Sequence, residues 1–319
     1  MRYIYSLALA IILPVSVYAQ NIPNELVDWW RGNAPYCIDS NKVKFPGKAR
    51  GGECDDGDIN LFAGLLCASG EKIGCDTVQN AQDESGKWFR SPRRMQQNNL
   101  GRKDSFSPDM ALGTQLYATK TGDKRAFRGW LRWLDDVRPC WIGDGPQCFR
   151  SPLLRYCTDD TENGCTLRPG DLAILNSTAE YLQTYPPTGD TKNFLHQAGG
   201  ALSTIILADA NLNKPGYSQH LTAVEILLLR AQGHNDDYLS AAALTLAQKQ
   251  PKNPFFQYLH EGATKRVVDL TLSLCPTTET GVPRDASEWS WEREDYDQAW
   301  KNSMIWDCIF MANLLKAKP

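Results

Sequence analysis

The sequence predicts an all-α protein, built from repeated antiparallel helix hairpins whose loops are stapled by disulfides. Three observations predict it. Apolar residues recur at helical spacing: Phe127, Trp130, Leu131 and Leu134; Leu221, Val224 and Leu228; Leu239, Ala242, Ala243 and Leu246. Strand-like alternation is scarce. The cysteines number ten, an even count.

The chain opens with the three-part pattern of a secretory signal. Arg2 gives a positive start, an uncharged apolar run extends from Tyr3 to Val17, and Val17-Tyr18-Ala19 offers small residues at the cleavage positions. The expectation is a signal peptide over residues 1–19, followed by a single helical domain over residues 20–319. No later stretch is long and apolar enough to span a bilayer. A secreted or periplasmic location follows as an expectation.

Cysteine usage agrees with an oxidising compartment. Close spacing predicts the local bridges Cys67–Cys75, Cys140–Cys148 and Cys157–Cys165. It leaves Cys37, Cys54, Cys275 and Cys308 with their pairing open. No Cys-x-x-Cys occurs, and His196, His220, His234 and His260 do not fall at zinc-ligand spacing, so no metal is expected. The run Asp55, Asp56, Asp58, Asn60 has the spaced oxygens of a calcium loop. It lacks the loop's glycine and its final glutamate.

The net charge is −3, and cleavage after Ala19 removes Arg2 and takes it to −4. There is no basic patch, so nucleic acid is not an expected partner. No Gly-x-Ser-x-Gly, P-loop or dinucleotide fingerprint appears, and no cofactor is expected. Asn176-Ser177-Thr178 matches a glycosylation sequon but falls within a predicted helix. Ten tryptophans suit a large core or platforms that stack on sugar rings.

The helical stretches are separated by glycine–aspartate turns, which end one helix and cap the next. A weak repeat runs through them. Phe89-Arg90-Ser91-Pro92 recurs as Phe149-Arg150-Ser151-Pro152. A helix-opening aspartate follows each copy: Asp109 in Ser107-Pro108-Asp109-Met110-Ala111, and Asp171 in Pro169-Gly170-Asp171-Leu172-Ala173. Each helix then reaches a matching turn, Thr121-Gly122-Asp123 and Thr188-Gly189-Asp190. Asp58 opens an earlier unit and His220 a later one, which makes residues 58–274 a repeat-like core.

Helix pairs at this period pack as an open solenoid or as a closed ring. The pattern, with Ser-Pro-Asp-Met-Ala-Leu-Gly at 107–113 and Asn253-Pro254-Phe255-Phe256 in the look of an inter-helix loop, resembles the closed (α/α) toroids of carbohydrate-active enzymes. The resemblance is architectural and covers roughly residues 58–274. It implies a cleft where the loops entering the inner helices converge.

On that alignment Asp58, Asp109, Asp171 and His220 face the cleft as catalytic candidates. Two carboxylates across a cleft suit acid and base or nucleophile work on a glycosidic bond. Asp109 ranks first, because its Asp-Met-Ala context is the least turn-like. The competing reading makes each aspartate an ordinary helix cap. His220 as a base fits a uronic-acid lyase, and a partly buried helix-end histidine is its bland counterpart. Glu261 is a second-rank acid. Arg90 and Arg150, with Arg93 and Arg94, suit an acidic sugar or a cell-wall carboxylate; equally, they can fix loops by pairing with the aspartates. Trp88, and after it Trp289 and Trp291, are candidate stacking platforms.

The sequence therefore supports a glycan-degrading enzyme, hydrolase or lyase, acting on a glycan or cell-envelope polymer. A secreted effector acting on another cell's envelope shares that chemistry. The alternative is a non-catalytic helical protein that binds a glycan or a protein partner.

Overall fold

The computed structural model describes residues 22–103, 106–151, 153–158, 165–186 and 202–316. The expected signal peptide and the expected Thr188-Gly189-Asp190 turn lie outside the described residues.

The described chain is mostly helical. The helices are α1 (Asn24–Asn33), α2 (Ile59–Ser69), α3 (Lys72–Gln79), α4 (Pro92–Gln96), α5 (Pro108–Thr121), α6 (Lys124–Asp136), α7 (Pro169–Tyr181), α8 (Leu202–Leu212), α9 (Tyr217–Ala231), α10 (Asp237–Lys249), α11 (Pro254–Glu261), α12 (Lys265–Leu274), α13 (Ala299–Asn302) and α14 (Trp306–Lys316). None is long and apolar enough to cross a membrane.

Sequence chemistry sorts these helices into two kinds. α2 and α14 are apolar on nearly every side, and their residues from Ile59 to Cys67 and from Trp306 to Ala312 are buried without a break. α6 is amphipathic: Phe127, Trp130, Leu131 and Leu134 are buried, while Arg128 and Arg132 face outward. Among the helices of the core, α2 packs on α5, α5 on α7, α7 on α9, α9 on α11, α11 on α14, and α14 back on α2; α9 also touches α5. α1 packs on α14, and the Trp30 Nε1 donates to the Pro276 carbonyl at 2.7 Å, so the two ends of the described chain meet.

The closest approach is between α2 and α5. A Cβ on Gly64 would stand 2.3 Å from the Gly113 carbonyl oxygen, and one on Gly113 would stand 2.1 Å from that of Asn60. Only glycine lets the two backbones touch there. Asn60 Nδ2 seals the crossing by donating to Met110 O at 3.0 Å and to Thr114 Oγ1 at 2.8 Å.

Three short antiparallel ribbons depart from an all-α chain: β1 (Tyr36–Ile38) with β2 (Lys44–Pro46), β3 (Lys48–Arg50) with β4 (Glu53–Asp55), and β5 (Cys140–Ile142) with β6 (Phe149–Arg150). Strands of two or three residues are too short to show alternation. A turn signal was present at the second ribbon, where Gly51 and Gly52 both adopt positive φ, +58° and +83°.

Five disulfides staple the loops. Cys67–Cys75, Cys140–Cys148 and Cys157–Cys165 form as their spacing predicts. The open set resolves into Cys37–Cys54, which joins the first two ribbons, and Cys275–Cys308, which ties the end of α12 to α14. The separation of 33 residues in the last makes its constraint on the unfolded chain the largest of the five, about 3.7 kcal/mol in the chain-entropy account against about 2.5 for a loop of 8.

The two Phe-Arg-Ser-Pro copies take different structures. In the first, Ser91 caps α4, its Oγ accepting from the Arg94 backbone N–H at 3.1 Å. The second begins as strand β6. The shared tetrapeptide does not mark equivalent positions.

Candidate functional site

The N-terminal ends of α2, α5, α7 and α9 converge on a cavity of about 680 Å³, within the range of small-ligand sites. Their dipoles point positive ends at it, a setting that favours carboxylates. Asp58, Asp109 and Asp171 all line it, and so do Arg90, Asp209, Tyr217 and Glu225.

Asp58 stands just before α2 and is fully engaged by cations. Lys48 Nζ donates to Oδ2 at 2.6 Å and Arg90 Nη1 to Oδ1 at 3.1 Å. Arg90 also donates to the Gly57 carbonyl at 2.9 Å and to Ser107 Oγ at 3.0 Å. It fixes loops by pairing with a helix-opening aspartate, one of the two roles open to it from sequence.

Asp109 lies at the second position of α5 and is buried. No cation pairs with it among the described residues. The Ser107 hydroxyl donates to Oδ1, and Tyr217 lines the same cavity. The Tyr217 ring is half exposed at the cavity wall. Desolvation of its hydroxyl, and next the Asp109 charge, hold the phenolic proton on.

Asp171 lies at the third position of α7 and caps it, Oδ2 accepting from the Arg168 backbone N–H at 2.8 Å. Burial raises its pKa, the Arg168 contacts oppose that, and Asp209 adds to it. Asp209 on α8 is also raised, by desolvation. Glu225 on α9 completes the group. Burial first, and then the charges of Asp209 and Asp171, push its carboxyl up to about 8. At neutral pH Glu225 is mostly protonated. Neither Asp209 nor Glu225 has a hydrogen bond or ion pair among the described residues.

Behind Asp58 and Asp109 sits Glu292. Burial, followed by the Asp58 charge, raises it to about 8, and its Oε2 is buried without a hydrogen-bond partner.

Other expected residues lie elsewhere. His220 is completely buried, its ring 5.8 Å from that of Phe255 and 6.5 Å from that of Trp289, and desolvation lowers its pKa to about 3. The reason is helical phase. Asp58 precedes its helix, Asp109 and Asp171 are second and third in theirs, and His220 is fourth in α9, where the side chain turns into the core. Tyr217 and Ser218 take the cavity wall instead. Trp88 is a core residue, its Nε1 donating to Val78 O at 2.8 Å. Trp289 stacks on Phe62 in the core, and Trp291 Nε1 donates to Asp307 O at 2.9 Å. None of the three tryptophans is a surface platform. Arg150 lies on β6, away from the cavity, donating to the Asp136 and Arg138 carbonyls. Glu261 accepts from Thr264 Oγ1 at 2.8 Å and Arg266 Nε at 3.0 Å at the end of α11.

The calcium-like run is occupied by protein groups. Asp56 is buried, with Ser91 Oγ at 2.6 Å from Oδ2, Arg93 Nε at 3.0 Å from Oδ2 and Arg94 Nε at 3.0 Å from Oδ1.

Asp209, Tyr217, Glu225 and Glu292 escaped the sequence reading. A signal existed for two of them. Asp209 is a lone acid in Thr204-Ile205-Ile206-Leu207-Ala208-Asp209, and Glu225 a lone acid in Ala223-Val224-Glu225-Ile226-Leu227-Leu228. A single carboxylate inside an apolar helical run must face either a partner or a cavity. No family model, no curated protein and no solved structure matches this chain.

Proposed function

We propose that the protein is a glycoside hydrolase acting in a secreted or periplasmic setting, with Glu225 as general acid and Asp109 as the partner carboxylate. One observation carries the reading. The cavity presents a carboxyl pushed up to about 8 together with a second carboxylate that accepts from the Ser107 hydroxyl. Neither is paired with arginine. Two carboxyls whose surroundings treat them differently are what acid-assisted cleavage of a glycosidic bond requires.

In this reading Glu225 gives its proton to the leaving oxygen. Asp109 accepts a proton from water, or stabilises the sugar cation. Ser107 holds it in place. Residues 217 and 225 lie about 12 Å apart along α9, so the cavity is long enough for sugars on both sides of the cleaved bond. Inner helices closing a ring, as in the toroidal enzymes, fit the packing of α14 on α2. The five disulfides and the signal-like N-terminus support action outside the cytoplasm.

Hydrolysis is favoured over a lyase reaction. The lyase reading rests on His220 as base, and the acidic-sugar reading on Arg90 and Arg150. His220 is in the core, Arg90 is held by Asp58, and Arg150 is elsewhere. A second reading, a glycan-binding protein without catalysis, is favoured by one observation: Asp58 and Asp171 are tied into an ion pair and a helix cap.

The test is release of reducing ends from a panel of soluble polysaccharides by the oxidised protein. Glu225→Gln and Asp109→Asn are each expected to lower kcat by about 10²–10⁴-fold, with unchanged circular dichroism. Binding of oligosaccharides by the wild type with no turnover overturns the enzyme reading in favour of the binding protein.

A further inference from the structure

A second feature lies away from the cavity, where α6 runs into the β5–β6 ribbon. No stretch of the sequence reads as a basic patch, yet helical phase gathers one. Lys124, Arg125, Arg128 and Arg132 fall within an arc of about 100° on α6, on the side away from the buried Phe127, Trp130 and Leu134, and all four are exposed. Their side chains have no hydrogen bond or ion pair among the described residues. Residues 123–150 carry six cations and four acids, a net of +2, in a chain of net −3. Two of the acids are engaged within the protein: Asp135 pairs with Arg138 at 3.0 Å, and Asp123 accepts from the Tyr117 hydroxyl at 2.8 Å. Asp136 and Asp144 are left to oppose the four α6 cations and Arg150 at the surface.

The ribbon adds an apolar tip. Ile142 and Phe149 are cross-strand partners, so their side chains stand together, and Trp141 is next to them in the chain. Ile142, Phe149 and Trp141 are 71%, 63% and 57% exposed. Isolated exposed apolar residues are ordinary, but three on so short a ribbon form a patch. The base of the ribbon is fixed. The Cys140–Cys148 bridge closes it, the Ser151 N–H donates to the Pro139 carbonyl at 2.8 Å, and Arg150 donates to the Asp136 and Arg138 carbonyls, which clamps the ribbon on the last turn of α6. A stapled ribbon that holds large apolar side chains in water, beside unpaired arginines, fits a partner that is apolar within and negative at its surface.

We propose that α6 and the β5–β6 ribbon dock the protein on the surface of an anionic lipid bilayer. Trp141, Ile142 and Phe149 enter the boundary between headgroups and acyl chains, while the α6 cations meet lipid phosphates. Docking is peripheral, since among the described residues no helix is long and apolar enough to cross the bilayer. An anionic polymer would use the arginines, but it has no acyl layer to receive Ile142, whose aliphatic side chain has no ring to stack on a sugar. None of these residues lines the cavity, so the inference stands apart from the hydrolase reading.

Cosedimentation of the oxidised protein with lipid vesicles tests it. All variants keep one N-terminus, so any binding by the apolar run Tyr3 to Val17 is common to them. Wild type is expected to bind vesicles of about 30% phosphatidylglycerol in phosphatidylcholine about tenfold or more tightly than pure phosphatidylcholine, and to lose most of that preference in about 0.5 M salt. Arg128→Ala with Arg132→Ala is expected to weaken binding about 30-fold, the worth of two cations at a membrane surface. Trp141→Ala with Phe149→Ala is expected to weaken it about tenfold or more. Brominated acyl chains are expected to quench tryptophan fluorescence in wild type, and most of that quenching is expected to be lost in Trp141→Phe. Equal binding to the two kinds of vesicle overturns the proposal, and so does full affinity in the folded Trp141→Ala, Phe149→Ala protein. Tighter capture by heparin, an anionic polymer, without acyl-chain quenching assigns the face to a polymer and overturns it as well. Should the double ribbon variant fail to fold, the milder Trp141→Phe decides the same point: quenching equal to wild type overturns the docking.

Discussion

Two acidic clusters in this molecule follow opposite rules. Asp56 is surrounded: Ser91, Arg93 and Arg94 saturate both of its oxygens. Burial alone pushes its pKa up, but those hydrogen bonds and charges outweigh burial, and it ends below its ordinary value. Glu225 is surrounded too, but by Asp209 and Asp171, and it ends near 8. The difference teaches how this fold uses a carboxylate. Where the acid joins loops, the chain supplies cations. At Glu225, on the cavity wall, the chain supplies no cation among the described residues, although Asp58 on the same wall is paired with Lys48 and Arg90.

The sharpest way to break the comparison is to remove the saturated acid. Asp56→Ala leaves Arg93 and Arg94 without their shared partner in a region they reach from α4. The expected loss is about 3–5 kcal/mol, the cost of breaking a buried pair from one side. Urea unfolding under oxidising conditions measures it. A loss below about 1 kcal/mol, the scale of a surface pair, would mean that the cluster is not structural.

The mirror experiment is Glu225→Gln, and its sign is reversed. The folded pKa of Glu225 lies above the ordinary value of 4.5. Between about 4.5 and about 8 the native state therefore holds a proton that the unfolded chain has given up. Stability contributed by this site is greatest below the unfolded value and falls as pH rises toward 8. Glutamine removes that penalty. The variant is expected to gain on the order of 1–3 kcal/mol at pH 8, allowing for partial exposure, while losing activity, the usual trade at a functional site. Its stability is also expected to fall less between pH 5 and 8. Glu292, raised in the same direction, leaves a residual slope. Parallel slopes in wild type and variant would show that Glu225 is ionised at neutral pH. Asp56 slopes the other way: its contribution is present above the ordinary carboxylate value of 3.8 and is lost as pH falls through its folded one.

The same contrast explains what could be read from sequence. Asp58, Asp109 and Asp171 were findable because each opens a helix after a turn, a local pattern. His220 followed the same pattern and failed, because one more position along a helix rotates a side chain by about 100°. The three short disulfide loops were legible from spacing, whereas Cys275–Cys308 depends on α12 reaching α14 and has no local signature. Saturation was illegible as well. Nothing local says that Arg93 and Arg94 meet Asp56 across 37 and 38 residues. Glu225 and Asp209 were the legible omissions, single acids in apolar runs whose neighbours along the chain could not satisfy them.

The subtlest test falls on Asp171, which belongs to both kinds. It caps α7 by accepting from the Arg168 backbone N–H, and it crowds Glu225. Asp171→Asn keeps an oxygen for the cap but gives up the charge. The lost attraction to the helix end costs about 0.3–1 kcal/mol, and the relief of repulsion from Asp209 and Glu225 returns a similar amount. Net stability is expected to change by less than about 0.5 kcal/mol, as at sites without a single dominant role. The pKa of Glu225 is expected to move down, because one of the two charges holding its proton is gone. Carboxyl carbon chemical shifts, followed by NMR through a pH titration of both proteins, report this directly. A lower Glu225 pKa with unchanged stability places Asp171 inside the unsatisfied cluster. An unchanged Glu225 pKa would make Asp171 an ordinary cap and reduce the cluster to Asp209 and Glu225.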